Sequence, residues 1–324
     1  MRVLVTGGTG SLGRVLIRRL LALGAERVAS LSRDEVKAAA LGEEFGAHPA
    51  LRVFVGDVRD RGRLIRAFSG MDTVVHAAAL KRVDQGSYHP DEMLKTNVLG
   101  TQNVIEAAAE AGVRRVVVTS SDKASAAINC YGATKLVAEF LAVNSNSWSA
   151  PGGTLIACTR WGNVLGSRGS VVGVWRRRVR EGKPLPLTDR RMTRFWLTLD
   201  EAAAFLIRCL PKMQGGEVFV PRLPSMRLVD LAEAVAPGHP IEVMGLRPGG
   251  EKVHESLMSD EEPCRTLAWP DGHGYTVTPS HRSWSVLPFE GELVPDGFAY
   301  RSDANERWLT VAEMREMLKG VDDD

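Results

Sequence analysis

The chain opens with a short apolar run, a glycine loop and a helical apolar period, an order that few folds accept. Residues 2–6 read RVLVT, β-branched and apolar, as in a strand buried on both faces. GGTGSLG follows, with Gly7, Gly10 and Gly13 at three-residue spacing; Leu12, Val15, Leu16 and Leu20 then recur with the period of a helix. Glycines in that position let backbone N–H groups reach a pyrophosphate at the helix N-terminus. A strand before and a helix after are what turn this spacing into a dinucleotide site; a tight turn that binds nothing is the bland alternative. Gly7, Thr9, Gly10, Ser11, Leu12 and Gly13 are therefore the expected phosphate-side residues.

Strand-like runs recur at Arg27 to Leu31, Leu51 to Val55 and Thr73 to Ala77, alternating with apolar-periodic helices. That alternation predicts an α/β fold, a doubly wound parallel sheet. An NAD site usually offers a carboxylate about 20 residues past the glycines, for the ribose 2′-hydroxyl. Here the place falls on Ser32, then Arg33, with Lys37 one turn on. A hydroxyl and a guanidinium suit a 2′-phosphate, which favours NADP; Asp34 keeps NAD open. Asp57 and Val58 follow the third strand and are expected at the adenine, Asp57 otherwise being a plain helix cap. Ala77, Ala78 and Ala79 let backbone pass close to a nicotinamide ribose, and Lys81 lies just beyond, placed for cofactor or substrate. Asn97 opens a helix predicted from Val98 to Ala111; it either holds backbone at the sheet edge or caps that helix.

The fifth strand, Arg115 to Thr119, delivers SSDK and then, on a helix, Tyr131 and Lys135. At four-residue spacing the phenol and the amine share one helix face, and a cation there favours phenolate, as a base requires. Ser121 can bond a sugar hydroxyl and ease proton movement to Tyr131. Up to this point an epimerase, a reductase and a dehydratase all fit. Expelling hydroxide from a sugar needs an acid for the leaving group and a base for the neighbouring C–H. Asp122 and Lys123 supply both if burial moves each pKa toward neutrality; the alternative is an Asp–Lys surface turn.

The stretch from Ser121 to Lys135 resembles the motif of inverting UDP-N-acetylglucosamine 4,6-dehydratases, which are extended short-chain dehydrogenases. Their pattern resembles Thr-Asp-Lys followed by Asn-Pro-Ile-Asn-x-Tyr-Gly-Ala-Thr-Lys. Asp122, Lys123, Ile128, Asn129, Tyr131 and Lys135 match in register; Ser121 replaces threonine, and Ala126-Ala127 stand where the family tends to carry Asn-Pro. Retaining 4,6-dehydratases show Asp-Glu at the acid/base pair, so Lys123 argues for the inverting branch. Two further runs are similar to the family: RWGNVLGSRGS (Arg160 to Ser170, Trp161 replacing tyrosine) and TDRRMTRFW (Thr188 to Trp196). The resemblance implies substrate contacts at Asn163, Ser170, Val171, Thr188 and Arg194. It also implies that Arg247 and Glu251 grip the nucleotide, although Gly249-Gly250 stand where the family has one glycine. A 4-epimerase, a retaining dehydratase and a non-catalytic NADP-binding regulator are the rival readings.

The remaining expectations concern organisation. With 324 residues and 44% hydrophobic composition, the chain can form a dinucleotide domain over residues 1–165. Residues 166–324 would form a mainly substrate-binding subdomain, with some segments returning to the first core. A net charge of +2 gives no case for nucleic acid, and the run WRRRVR (Trp175 to Arg180) reads as a solvated helix face. The four cysteines lack metal-ligand spacing, and no apolar stretch approaches bilayer length. A cytoplasmic enzyme acting on a nucleotide sugar is the expectation, and the resemblance implies a homo-oligomer.

Overall fold

The computed structural model describes residues 1–148, 152–245, 249–281 and 288–321. In its first half the chain alternates as the apolar pattern requires. The elements are β1 (Arg2–Thr6), α1 (Ser11–Ala22), β2 (Arg27–Ser32), α2 (Glu35–Glu44), β3 (Leu51–Val55), α3 (Arg61–Phe68) and β4 (Thr73–His76). Two short helices, α4 (Val83–Tyr88) and α5 (Pro90–Leu94), then lead through a π-helical turn at Lys95–Leu99 into α6 (Gly100–Glu110). β5 (Arg115–Ser121), α7 (Cys130–Asn144) and β6 (Leu155–Trp161) complete this half.

The second half contains β7 (Asn163–Leu165), α8 (Val171–Arg180), β8 (Leu185–Leu187), β9 (Thr193–Thr198) and α9 (Leu199–Cys209). β10 (Val218–Pro221), β11 (Ser225–Arg227), α10 (Leu228–Val235) and β12 (Ile241–Val243) follow. The last elements are β13 (Thr266–Ala268), β14 (Gly274–Val277), β15 (Glu292–Leu293) and α11 (Val311–Lys319).

Among the described residues ten strands form one sheet in the order β15-β13-β14-β10-β6-β5-β4-β1-β2-β3. From β3 to β10 every neighbour is parallel; β14, β13 and β15 then add antiparallel. The strand order reverses between β1 and β4, and ligands of such sheets lie at the carboxyl ends beside that reversal. Helices cover both faces: α1 packs with α9 on one, and α3, α6 and α7 pack together on the other. Val3, Leu4, Val5, Val116, Val117 and Val118 are wholly buried between these layers.

A second core gathers Trp175, Leu185, Met192, Trp196, Met226, Leu231 and Met314 under α8, α10 and α11. The run Glu217 to Ala236 reads as one strand–turn–helix of the smaller subdomain, but the structure divides it. Val218–Pro221 is buried along its whole length and joins the large sheet beside β6, whereas β11 and α10 belong to the second core. The capping boxes Thr198/Glu201 and Thr310/Glu313 start α9 and α11 as their spacing predicts. No described helix is long and apolar enough to cross a membrane.

Candidate active site

The glycine loop closes on itself before α1 starts: Gly10 N–H donates to the Gly7 carbonyl at 2.8 Å. A Cβ on Gly13 would stand 2.5 Å from Gly8 Cα, so only glycine lets the helix pack this close to the loop. Gly10 is the N-cap, with neither a side-chain cap nor an acidic residue in the first turn. The free N–H groups therefore face a cleft of about 260 Å³. Gly7, Thr9, Gly10, Ser32, Arg33, Lys37, Val58 and Ala77 to Ala79 line it, all anticipated for the cofactor, and Asp34 does too; Leu31, Gly56, Thr96 and Arg168 line it as well and were not anticipated. An unblocked helix N-terminus with Arg33, Lys37 and Arg168 around it suits a phosphate-rich dinucleotide.

Several anticipated residues do other work here. Asp34 caps α2 by accepting from Lys37 N–H at 3.0 Å and pairs with the Lys37 amine at 2.7 Å. Asp57 turns to Arg59 at 2.8 Å and is held below the usual carboxylate range: burial opposes ionisation, but the Arg59 bonds outweigh it. It does not cap α3; Asp60 does. Ser11 accepts from Arg168 N–H at 3.0 Å, which brings the loop after β7 across the cleft; Leu12 packs half-buried against the main core. Asn97 lies in the π-helical turn rather than opening a helix. Its amide accepts from Leu80 N–H at 2.8 Å, donates to Leu80 O at 2.9 Å and donates to Thr134 Oγ1 at 3.1 Å. The loop after β4 is thereby tied to α7; Lys81, next along, is exposed.

β5 carries Ser121 to the sheet's carboxyl edge, where Asp122 N–H still bonds Trp161 O at 2.9 Å. The chain then turns into α7, capped by Asn129, whose side chain accepts from Gly132 N–H at 2.8 Å. A Cβ on Gly132 would meet the Lys123 carbonyl at 2.2 Å, so glycine here seats α7 directly on the Asp122–Lys123 turn. Asp122 is fully buried. Its Oδ1 accepts from Ser121 Oγ at 2.8 Å and from Lys123 Nζ at 2.9 Å, while Oδ2 has no hydrogen-bond partner among the described residues. Burial raises the Asp122 pKa, with Lys123 opposing and Glu255 adding to the rise.

Lys123 behaves otherwise than the sequence suggests. Burial should lower its pKa, but Asp122 and Glu255, the latter 3.3 Å away, outweigh that and raise it. Burial also raises the Tyr131 phenol, and it is the Lys123 charge, with the Ser121 hydroxyl, that pulls it back. Lys135 instead donates to the Thr119 carbonyl, and burial lowers its pKa to about 8.

The C-terminal half closes this centre from above. Arg194 is buried, and its donors go to protein: Thr193 O at 2.7 Å, Val253 O and Lys252 O at 3.0 Å, and Glu251 Oε1 at 2.9 Å. Thr188 Oγ1 donates to Glu251 Oε2 at 3.1 Å. These three expected substrate contacts thus hold one another, because a buried guanidinium must satisfy its fork. Glu251 keeps this place despite the additional glycine; Arg247 lies outside the described residues. Asn163 starts β7 with its Oδ1 buried and unbonded among the described residues, and Ser170 and Val171 begin α8, Ser170 without a capping bond. His254 bonds Thr193 Oγ1 at 2.8 Å, a structural histidine.

Two residues escaped the sequence reading. Glu255 and Lys252 stand in the run LRPGGEKVHESL, whose charges give no hint of which carboxylate faces the β5 turn. Lys252 Nζ donates to Asp122 O at 3.0 Å and Ser125 O at 2.6 Å and pairs with Glu255 at 3.1 Å. Glu255, 1% exposed, completes a cluster of buried charges around Lys123.

Known proteins place this arrangement in a lineage. Residues 3–273 match the polysaccharide biosynthesis protein family. The inverting UDP-N-acetylglucosamine 4,6-dehydratase of Campylobacter jejuni serotype O:2 is 41% identical, over 98% of this chain and 96% of that one. A UDP-glucose 4-epimerase of Rickettsia massiliae is 33% identical over 99% of this chain and 96% of its own length. Among solved structures, Pen from Bacillus thuringiensis superposes with a TM-score of 0.89 at 34% identity, over 98% of this chain and 96% of that one. DesIV, a dTDP-glucose 4,6-dehydratase from Streptomyces venezuelae with NAD bound, superposes with a TM-score of 0.70 at 27% identity, over 78% of this chain and 86% of that one. The chain therefore belongs to the polysaccharide biosynthesis protein family, among the extended short-chain dehydrogenase/reductases that include the inverting UDP-N-acetylglucosamine 4,6-dehydratases.

Proposed function

We propose that this protein removes water from UDP-N-acetylglucosamine across carbons 5 and 6, inverting carbon 5, with NADP as its resident cofactor. The observation that carries the reading is the buried Asp122–Lys123 pair, 2.9 Å apart at the carboxyl end of β5. The relative named an inverting dehydratase supports the substrate and the stereochemistry. For NADP the support is local: Arg33 and Lys37 line the cleft, and Asp34, which lines it too, is occupied as the α2 cap and by the Lys37 amine.

When bound, the cofactor supplies oxidation at carbon 4 and reduction at carbon 6. Gly7, Thr9, Gly10, Ser32, Arg33, Lys37, Val58 and Ala77 to Ala79 would hold it. Tyr131 takes the proton of the 4-hydroxyl, its negative charge favoured by Lys123. The ketone at carbon 4 then acidifies the carbon 5 C–H. Before elimination Lys123 Nζ releases one proton to solvent, leaving amine beside the Asp122 carboxylic acid, and Asp122 takes a proton back from solvent once the step is over. The amine takes the carbon 5 proton while the acid protonates the departing 6-hydroxyl, which leaves as water. The pair ends as ammonium and carboxylate, and Tyr131 returns a proton to carbon 5 from the opposite face. The protein acts as a homo-oligomer, and the outer face of α7, where Val137 and Phe140 are exposed, suits that contact.

Incubation with UDP-N-acetylglucosamine in deuterated water should yield a 4-keto-6-deoxy product lighter by one water, labelled at carbon 5 with inverted configuration. Lys123→Ala should abolish dehydration with cofactor still bound, and Tyr131→Phe should block the first oxidation. The epimerase relatives favour a second reading, since Ser121, Tyr131 and Lys135 serve both reactions. A 4-epimer formed without loss of water would establish that reading and defeat the first.

A further inference from the structure

Two carboxylates, Asp122 and Glu255, compete for the single ammonium of Lys123, at 2.9 and 3.3 Å. Both are buried, and two like charges sharing a cation in a dry site do not both ionise freely. Their remaining partners differ. Glu255 has two further cations, Lys252 at 3.1 Å and Arg194 at 3.8 Å, each on the C-terminal side of the cleft. Among the described residues Asp122 has only the Ser121 hydroxyl; its buried Oδ2 has neither a hydrogen-bond partner nor a second cation, whereas Glu255 Oε2, also without a hydrogen bond, lies against the Lys252 amine. An unbonded, fully buried carboxylate oxygen is costly as an anion and natural as an O–H.

We infer that Glu255 is a positioning residue that keeps a proton on Asp122: by taking up the Lys123 charge, it leaves Asp122 as the carboxylic acid that elimination requires. Without it the ammonium would hold Asp122 as a carboxylate, unable to protonate a leaving hydroxide. The charged groups that bear on the trio are Lys252, Arg194 and Glu251, with the Tyr131 phenol beside them. Their effect agrees in direction: burial raises both carboxyls, but the three cations draw Glu255 down to about 2, while Asp122 stays raised. Glu255 follows Glu251 and Lys252 closely along the same segment, and Lys252 donates to the Asp122 carbonyl. The lobe expected to bind the sugar thereby reaches the acid/base pair. The consequence for turnover rests on the dehydratase reading; the place of the proton does not.

Infrared spectroscopy of the resting, cofactor-loaded protein at neutral pH tests the proton directly. The wild-type minus Asp122→Asn difference should show the stretch of one buried protonated carboxyl, and wild type minus Glu255→Gln should show the same band. In turnover, Glu255→Gln should lower the dehydration rate roughly 10²-fold, with KM for the sugar within about threefold of wild type. The first oxidation should continue, so reduced cofactor accumulates, which a general loss of structure would not produce. Glu255→Asp should keep the infrared band and recover about tenfold of the rate over the glutamine variant. No protonated-carboxyl band in the wild-type minus Asp122→Asn difference, in which the Glu217 carboxyl cancels, or Glu255→Gln turning over at the wild-type rate, would overturn the assignment. Because the infrared result needs no substrate, a wild type inactive on UDP-N-acetylglucosamine would count against the reaction and leave the place of the proton to the spectrum.

Discussion

Lys123 shows how far one side chain's chemistry depends on its neighbours. An amine buried alone loses its charge; between two carboxylates it keeps it, because each Coulomb partner in a dry site outweighs part of the desolvation cost. Its basicity is therefore a property of the trio with Asp122 and Glu255, released only when a proton leaves it. Three residues later, Ala126 adopts φ +48°, left-handed backbone that an L-alanine occupies at a cost. The related dehydratases tend to carry asparagine there, a residue that tolerates this region. Ala126→Gly should stabilise the protein by about 1 kcal/mol, read as a rise in the urea midpoint with unchanged slope. A lowered midpoint would show that the conformation is not strained.

At the scale of elements, the active site is a junction between the loop after β4, the turn after β5 and the start of α7. Asn97 joins the first to the third by three hydrogen bonds, and the π-helical turn is what aims its amide at Leu80 and Thr134. Asn97→Ala leaves the Leu80 N–H and carbonyl without these partners, at a cost of about 1–3 kcal/mol. Part of that should appear in cofactor affinity, a Kd about tenfold weaker by fluorescence titration, with the sugar KM moved less. Equal losses for cofactor and sugar would mean that Asn97 supports the fold in general and not the cofactor loop. Arg160 does a related job between elements. Its guanidinium forks onto Glu139 of α7 at 2.6 Å and onto Glu262 at 2.7 Å, both buried, fastening the helix that carries Tyr131 and Lys135 to the C-terminal loops. That Asn97 could hold backbone was legible in the sequence, but the partners of neither junction were visible in spacing. A regular expression records neighbours along the chain, and these partners stand far apart in it.

For the whole molecule, the parallel strands bury polar groups that respond to pH at a distance from the site. Glu217, wholly buried ahead of β10, accepts from the backbone N–H of Gly215 at 3.0 Å, yet burial pushes it up to about 7. A carboxyl whose folded pKa exceeds its unfolded value keeps its proton in the fold, so stability is lost as pH rises from about 4.5 to about 7. Relative to Glu217→Gln, wild type should therefore lose stability by about 1.4 kcal/mol per pH unit across that window. Using the difference between the two proteins cancels His76, which burial holds neutral down to about 3 and which acts in the opposite sense. A pH-independent difference would show that Glu217 ionises normally.

The primary structure was sufficient for the first core, the dinucleotide cleft and the composition of the acid/base turn. Apolar period, glycine spacing and contiguous motif are all local, and local order survives being read one residue at a time. The fold alone decided that Arg194, Thr188 and Glu251 satisfy one another, that β10 joins the large sheet, and that Glu255 stands against Lys123 across 132 positions of chain. Charges gain or lose protons through distance and exclusion of water, and neither quantity exists until the chain has closed on itself.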